Sequence, residues 1–219
     1  SLKERSHLIT DAGKLVPGYS LLNDGVEFFV HSPFAIHVDG ELIDRNESSL
    51  ILHATFEYNG VKTRLMLIGD TTCSILTEIV ETTKAHNNEQ RLEWDLFDVP
   101  HHCSYKALSD DKGKDVTTPV AEVQWLLEQG KNRGIIVSSS KPIPSNDADN
   151  QPPHRQAANY YKKIANSIDG KFVVTMEHPT ISSPSPMIIT IDQFGATLKK
   201  IIQSVGSASV ISRPAHRAG

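Results

Sequence analysis

Asn59 and Gly60 separate two apolar stretches, residues 49–58 and 63–69, and this dipeptide is the strongest two-residue hairpin signal because both residues tolerate positive φ. The chain is therefore expected to contain an antiparallel strand pair. The next segment has a different rhythm. From Thr71 or Thr72, either of which can cap a helix, Ile75, Ile79 and Thr82 or Thr83 recur at helical spacing as far as about Ala85, and residues 94–99 are strand-like again. A strand, a helix and a strand in succession require a parallel crossover. A hairpin joined to such a unit gives a mixed sheet with flanking helices, so the expected class is α/β.

The remaining chain extends this pattern. Residues 25–30 read as a strand that closes at His31-Ser32-Pro33, and the stretch through Asn46 is loop-like. Thr118-Pro119 suits a cap followed by proline at the first helical position. Val120, Val123, Leu126 and Leu127 then supply an apolar stripe that Gly130 ends. Residues 134–138 read as a buried strand, and 139–153, rich in Ser, Pro, Asn and Asp, as a long loop of functional length. A helix over 154–168 precedes strands at 171–175 and 187–191. Residues 1–203 are expected to form one partial domain, and 204–219, small and polar, a flexible tail.

Composition narrows the function classes. A net charge of -4 gives no electrostatic footprint for tight nonspecific binding to nucleic acid or to an anionic membrane. Two cysteines, Cys73 and Cys103, cannot build a disulfide scaffold, although they leave one bridge open. No apolar run approaches a membrane span, and the first residues lack a signal-peptide core, so a cytoplasmic setting without membrane contact is expected.

Two strand-like runs end in groups that can bind metal. Leu65-Met66-Leu67-Ile68-Gly69 leads into Asp70, the glycine allowing a turn that aims the carboxylate outward, and Leu96-Phe97-Asp98-Val99-Pro100 leads into His101-His102-Cys103-Ser104. Ligands on the ends of buried strands are held rigidly by the core. Each piece also has an ordinary reading. Asp70 before Thr-Thr suits a turn or helix cap, Ser104 a loop cap, and a surface histidine pair need do nothing. Only one of two adjacent histidines can point into a given site. His31 at a strand end and His154 at a helix start are further candidates. Cys103 beside His102 suggests a thiol nucleophile with its base, but neighbours in sequence rarely reach that geometry.

In order, these segments resemble the metallo-β-lactamase superfamily, and within it the hydrolase domain of ComEC-type DNA-uptake proteins and their stand-alone relatives. The similar pieces are Leu22-Asn23-Asp24-Gly25-Val26 with Ser32-Pro33, residues 45–52, Leu67-Ile68-Gly69-Asp70, Asp98 through Ser104, Ile135-Ile136-Val137-Ser138 and Pro152-Pro153-His154. Together they span about residues 11–192.

The resemblance implies an αββα sandwich, of which this chain supplies the second half and part of the first. It implies a dinuclear centre holding two divalent metal ions, zinc first and manganese second. By it Asp70 is the bridging carboxylate, His101 the later histidine ligand with His102 supporting it or exchanging roles, and His31 a third ligand. Ser104, Ser138 and His154 line the substrate side. The implied activity is metal-dependent hydrolysis of a phosphodiester or related ester in a small molecule or nucleic acid.

Two departures qualify these expectations. Cys103 stands where the family has glycine. The His-x-His-x-Asp-His or His-x-Asp-x-Asp-His cluster, which supplies most of the ligands, is absent from the chain. A second chain or a further N-terminal segment would then complete the site. The competing expectation is a noncatalytic binding or scaffolding module that has lost the metal.

Overall fold

The computed structural model describes residues 9–33 and 49–200. The loop expected through Asn46, the tail expected from Ser204, and His37 lie outside those residues. The protein is α/β, with a six-stranded mixed sheet flanked by four helices. The strands are β1 (Val26–Ser32), β2 (Ile51–Tyr58), β3 (Val61–Ile68), β4 (Trp94–Asp98), β5 (Gly130–Ser138) and β6 (Lys171–Val174), and they lie in the sheet in chain order.

Antiparallel pairing joins β1 to β2 and β2 to β3. Asn59 and Gly60, with φ of 49° and 78°, form the turn of the second pair as expected. From β3 onward every pairing is parallel. The crossovers carry α2 (Cys73–Ala85), α3 (Ala121–Leu127) and α4 (Arg155–Ser167), while the short α1 (Leu21–Asp24) sits beside β1 and β2. Crossovers of one hand that advance the sheet in one direction land on one face. Met66, Phe97 and Ile136 share that face by register, and with Ile75, Leu76 and Ile79 of α2 and Tyr161 and Ile164 of α4 they form the main core.

The opposite face is covered differently. Ala54, Leu96 and Ile135 share it by register and are at most 4% exposed. The hairpin of β9 (Ile189–Asp192) and β10 (Gly195–Leu198) packs over β2, β3 and β4 there, following a small hairpin of β7 (Pro179–Thr180) and β8 (Ser183–Pro184). Leu67 is on the same face, toward the carboxyl end of β3, and is 37% exposed.

Several boundaries differ from the sequence expectation, with β1 running to Ser32 and β3 starting at Val61 among them. α3 starts at Ala121, because the Val120 N–H donates to the Leu108 carbonyl at 2.9 Å and holds the preceding residues extended. β5 starts at Gly130 instead of Gly134. Both glycines lie under the Trp94 indole, where an added Cβ would come within 2.5 Å and 2.9 Å of the ring. Gly130 therefore serves packing as well as ending α3. The strand expected at 187–191 is β9, shifted to 189–192 and paired with β10. Among the described residues, no helix is long and apolar enough to cross a membrane.

Candidate functional site

Strands β3, β4, β5 and β6 run parallel and end at one edge of the sheet, where open α/β sheets bind their ligands. Asp70 leaves β3 at this edge, with its backbone carbonyl accepting a hydrogen bond from the Ser49 hydroxyl. Gly69 is not required for the turn. Its φ lies outside the left-handed region, and an added Cβ would make an ordinary 3.5 Å contact with Ser49.

β4 ends at Asp98, and Val99-Pro100 leads into a tight reversal. His101 (φ 50°), His102 (φ 51°) and Cys103 (φ 68°) are all left-handed. Such a conformation costs a non-glycine residue about 1–2 kcal/mol, so three in succession are held by their surroundings. The reversal buries Cys103 completely and leaves the His102 side chain 54% exposed.

His102 is the histidine that meets Asp70. Its Nδ1 is 2.8 Å from the Ser139 carbonyl, which can only accept, so Nδ1 carries a proton and, in the neutral ring, Nε2 keeps its lone pair. Nε2 is 3.6 Å from Asp70 Oδ1. Two acceptors at that separation are stabilised by a proton or a cation shared between them.

Asp98 stands beside this pair. Its carboxyl is pushed up to about 6, first by burial and also by the Asp70 charge, while an N–H from Ile68 and the proximity of His102 pull it down. Sequence reasoning did not single it out. The available signal was strand alternation: Asp98 shares the face of Leu96, where a charged group among apolar neighbours needs an explanation.

The other expected site residues lie elsewhere. The His101 Nδ1 is buried without a hydrogen-bond partner among the described residues, and the ring is close enough to His154 to depress the latter's pKa after burial. Both ring nitrogens of His154 are engaged. Nδ1 accepts the Tyr105 N–H at 3.4 Å, and Nε2 donates to the Asn150 carbonyl at 3.2 Å. The His154 N–H also donates to the Cys103 carbonyl at 2.9 Å, so this residue ties the reversal to the start of α4.

Ser104 caps the turn at residues 105–107 by accepting the Lys106 N–H. Ser138 is fully buried, 2.8 Å from the Ser140 hydroxyl, and near enough to the Cys103 thiol to affect its pKa. Burial pushes that thiol up to about 12, so it is protonated and a poor nucleophile at neutral pH.

His31 lies on the helix-covered side of β1. It is packed against Phe29 and His53, with Nε2 donating to the Arg91 carbonyl at 3.0 Å. Asp70, His101 and His31 do not form a three-ligand group.

The pair that does meet fits part of a metal shell. Two donors about 2.1 Å from one tetrahedral ion stand ~3.4 Å apart, close to the 3.6 Å between Asp70 and His102. A structural or catalytic zinc takes at least three protein ligands. Among the described residues, no group of three or more His, Cys, Asp or Glu side chains gathers to hold a metal. The described residues therefore offer two adjacent ligand positions without completing a site. No protein-family model, curated protein or solved structure matches the chain.

Proposed function

We propose that this chain is the later portion of a metallo-β-lactamase-like αββα sandwich, acting as a metal-dependent hydrolase on a phosphodiester or related ester once the rest of the ligand set is supplied from outside the described residues. The observation that carries this reading is the convergence of Asp70 Oδ1 and His102 Nε2 at 3.6 Å, with the histidine tautomer fixed by Ser139. Among the described residues, Leu67 beside the site edge is 37% exposed on the second face of the sheet, which leaves room for a further element there. A cytoplasmic setting fits Cys73 and Cys103, both free and buried.

In this reading Asp70 and His102 are ligands, and His102 takes the role the resemblance assigned to His101. Asp98, raised to about 6, is mostly ionised at neutral pH and can take up a proton beside them as pH falls. A bound divalent ion, zinc or manganese, would lower the pKa of a water and polarise the scissile ester. The backbone at 101–103 presents His102 to solvent and to a substrate approaching the strand ends.

Zinc and manganese titrations of the chain, alone and with a companion polypeptide carrying the missing histidine cluster, test the proposal. Two donors should bind weakly alone and tightly in the assembly, with Asp70→Ala or His102→Ala lowering affinity at least about tenfold and His101→Ala less. An assembly without stoichiometric metal would sink the hydrolase reading. It would favour the second one, a noncatalytic module, for which the shortage of ligands among the described residues speaks.

A further inference from the structure

We propose that Ser138 and Ser140 are positioning residues whose buried hydroxyls fix the Ser139 carbonyl against His102, and so set the tautomer that aims Nε2 at Asp70. Ser138 is fully buried and Ser140 is 6% exposed, on either side of the exposed Ser139. The Ser140 Oγ donates to the Lys141 carbonyl at 2.9 Å. Its single proton is thereby used, so the 2.8 Å contact between the two hydroxyls has Ser138 donating to Ser140.

Cys103, inside the left-handed reversal, is fully buried, and the Ser138 hydroxyl lies near enough to its thiol to pull the thiol pKa down against the effect of burial. The hydrogen-bond chain thus runs from Ser138 at the end of β5 through Ser140 into the following loop, beside the reversal that carries His102. Thr175 Oγ1 donates to the Ser140 carbonyl at 3.4 Å, and Glu177 Oε1 accepts the Ile143 N–H at 2.8 Å, anchoring the same loop to the segment after β6. The residues flanking Ser139 are held on both sides, which leaves its carbonyl one orientation.

The residue pattern has the same logic. Successive residues at a strand end face opposite ways, so 138 and 140 turn inward while 139 faces out. A run of three serines reads in the sequence as polar loop, yet each has its own task. Ser138, expected on the substrate side from the resemblance, acts from behind the site.

This inference rests on the reading of His102 as the residue presenting Nε2, but its test uses neither metal nor turnover. Long-range ¹H–¹⁵N correlations of the His102 ring at pH 8.5 report the tautomer directly in the ¹⁵N-labelled chain. The unsubstituted protein should show the Nδ1–H form dominant. Ser140→Ala should lower the ratio of Nδ1–H to Nε2–H on the order of fivefold, and Ser140→Thr, which keeps a hydroxyl, should restore it.

A folded Ser140→Ala protein with an unchanged ratio overturns the proposal. If Ser140→Ala does not fold, Ser138→Ala carries the same test, a lowered ratio supporting the proposal and an unchanged one overturning it. A chain that keeps the tautomer lock but never takes up zinc in the assembly removes the hydrolase reading and leaves this one standing. Zinc uptake with a tautomer indifferent to Ser140 and Ser138 does the reverse.

Discussion

At the scale of single residues, backbone conformation and close packing outweigh side-chain identity. Cys103 occupies a left-handed position that glycine adopts without cost, and it is fully buried. Cys103→Gly gains the relief of strain and loses a small buried side chain, so its stability should fall within about 1 kcal/mol of the parent. Cys103→Ala keeps the strain and loses the buried sulfur. It should be the less stable variant by chemical denaturation, reversing the usual order of alanine and glycine. Gly130→Ala should cost about 1–3 kcal/mol, because its Cβ would sit 2.5 Å from the Trp94 ring, with φ playing no part. The glycine at 130 was legible as a break, but its contact with a tryptophan thirty-six positions earlier was not, since only the parallel pairing of β4 with β5 brings them together.

At the scale of elements, the pattern was legible wherever an element's own residues decide its form. The Asn59-Gly60 hairpin, α2 with Ile75, Leu76 and Ile79 buried, and α4 with Tyr161 and Ile164 buried all follow local periodicity. The β9–β10 hairpin was only half legible. Its second strand is a four-residue segment whose form depends on packing over the sheet. That cover can be measured. Leu96→Ala, under the hairpin and 4% exposed, should cost about 2–5 kcal/mol in urea unfolding, while Leu67→Ala on the same face should cost less than half as much. The site was legible to the same degree. Asp70 follows from a strand end, but the choice of His102 over His101 depends on a left-handed reversal that cancels ordinary alternation.

At the scale of the whole molecule, stability should depend on pH chiefly through two buried histidines, His31 and His53, with the raised carboxyls Asp98 and Asp95 of opposite effect. Burial lowers His31 and His53 to about 4, from about 6.5 in an unfolded chain. Between those values the unfolded chain binds more protons. Each histidine therefore contributes stability that is full above about pH 6.5 and is lost as pH falls toward 4, by up to about 3 kcal/mol. Asp98, raised to about 6, acts the other way, and the stability its protonated form confers is lost as pH rises from about 3.8 to 6. The two large histidine shifts outweigh the large one at Asp98 and the smaller one at Asp95, so the melting temperature should rise with pH across this window. Asp98→Asn should raise stability at pH 7.5 by about 1–2 kcal/mol in the metal-free chain.

The sequence by itself determined the α/β class, the hairpin, the helices α2 and α4, and the placement of Asp70 and the histidine pair beyond strand ends, because these follow from local propensity and periodicity. Only the tertiary structure decided that His102 meets Asp70, that Asp98 stands beside them, that His31 lies elsewhere, and that Ser138 is buried. The meeting of Asp70 with His102 and the packing of His31 against Arg91 join residues far apart in the chain, which no local pattern encodes.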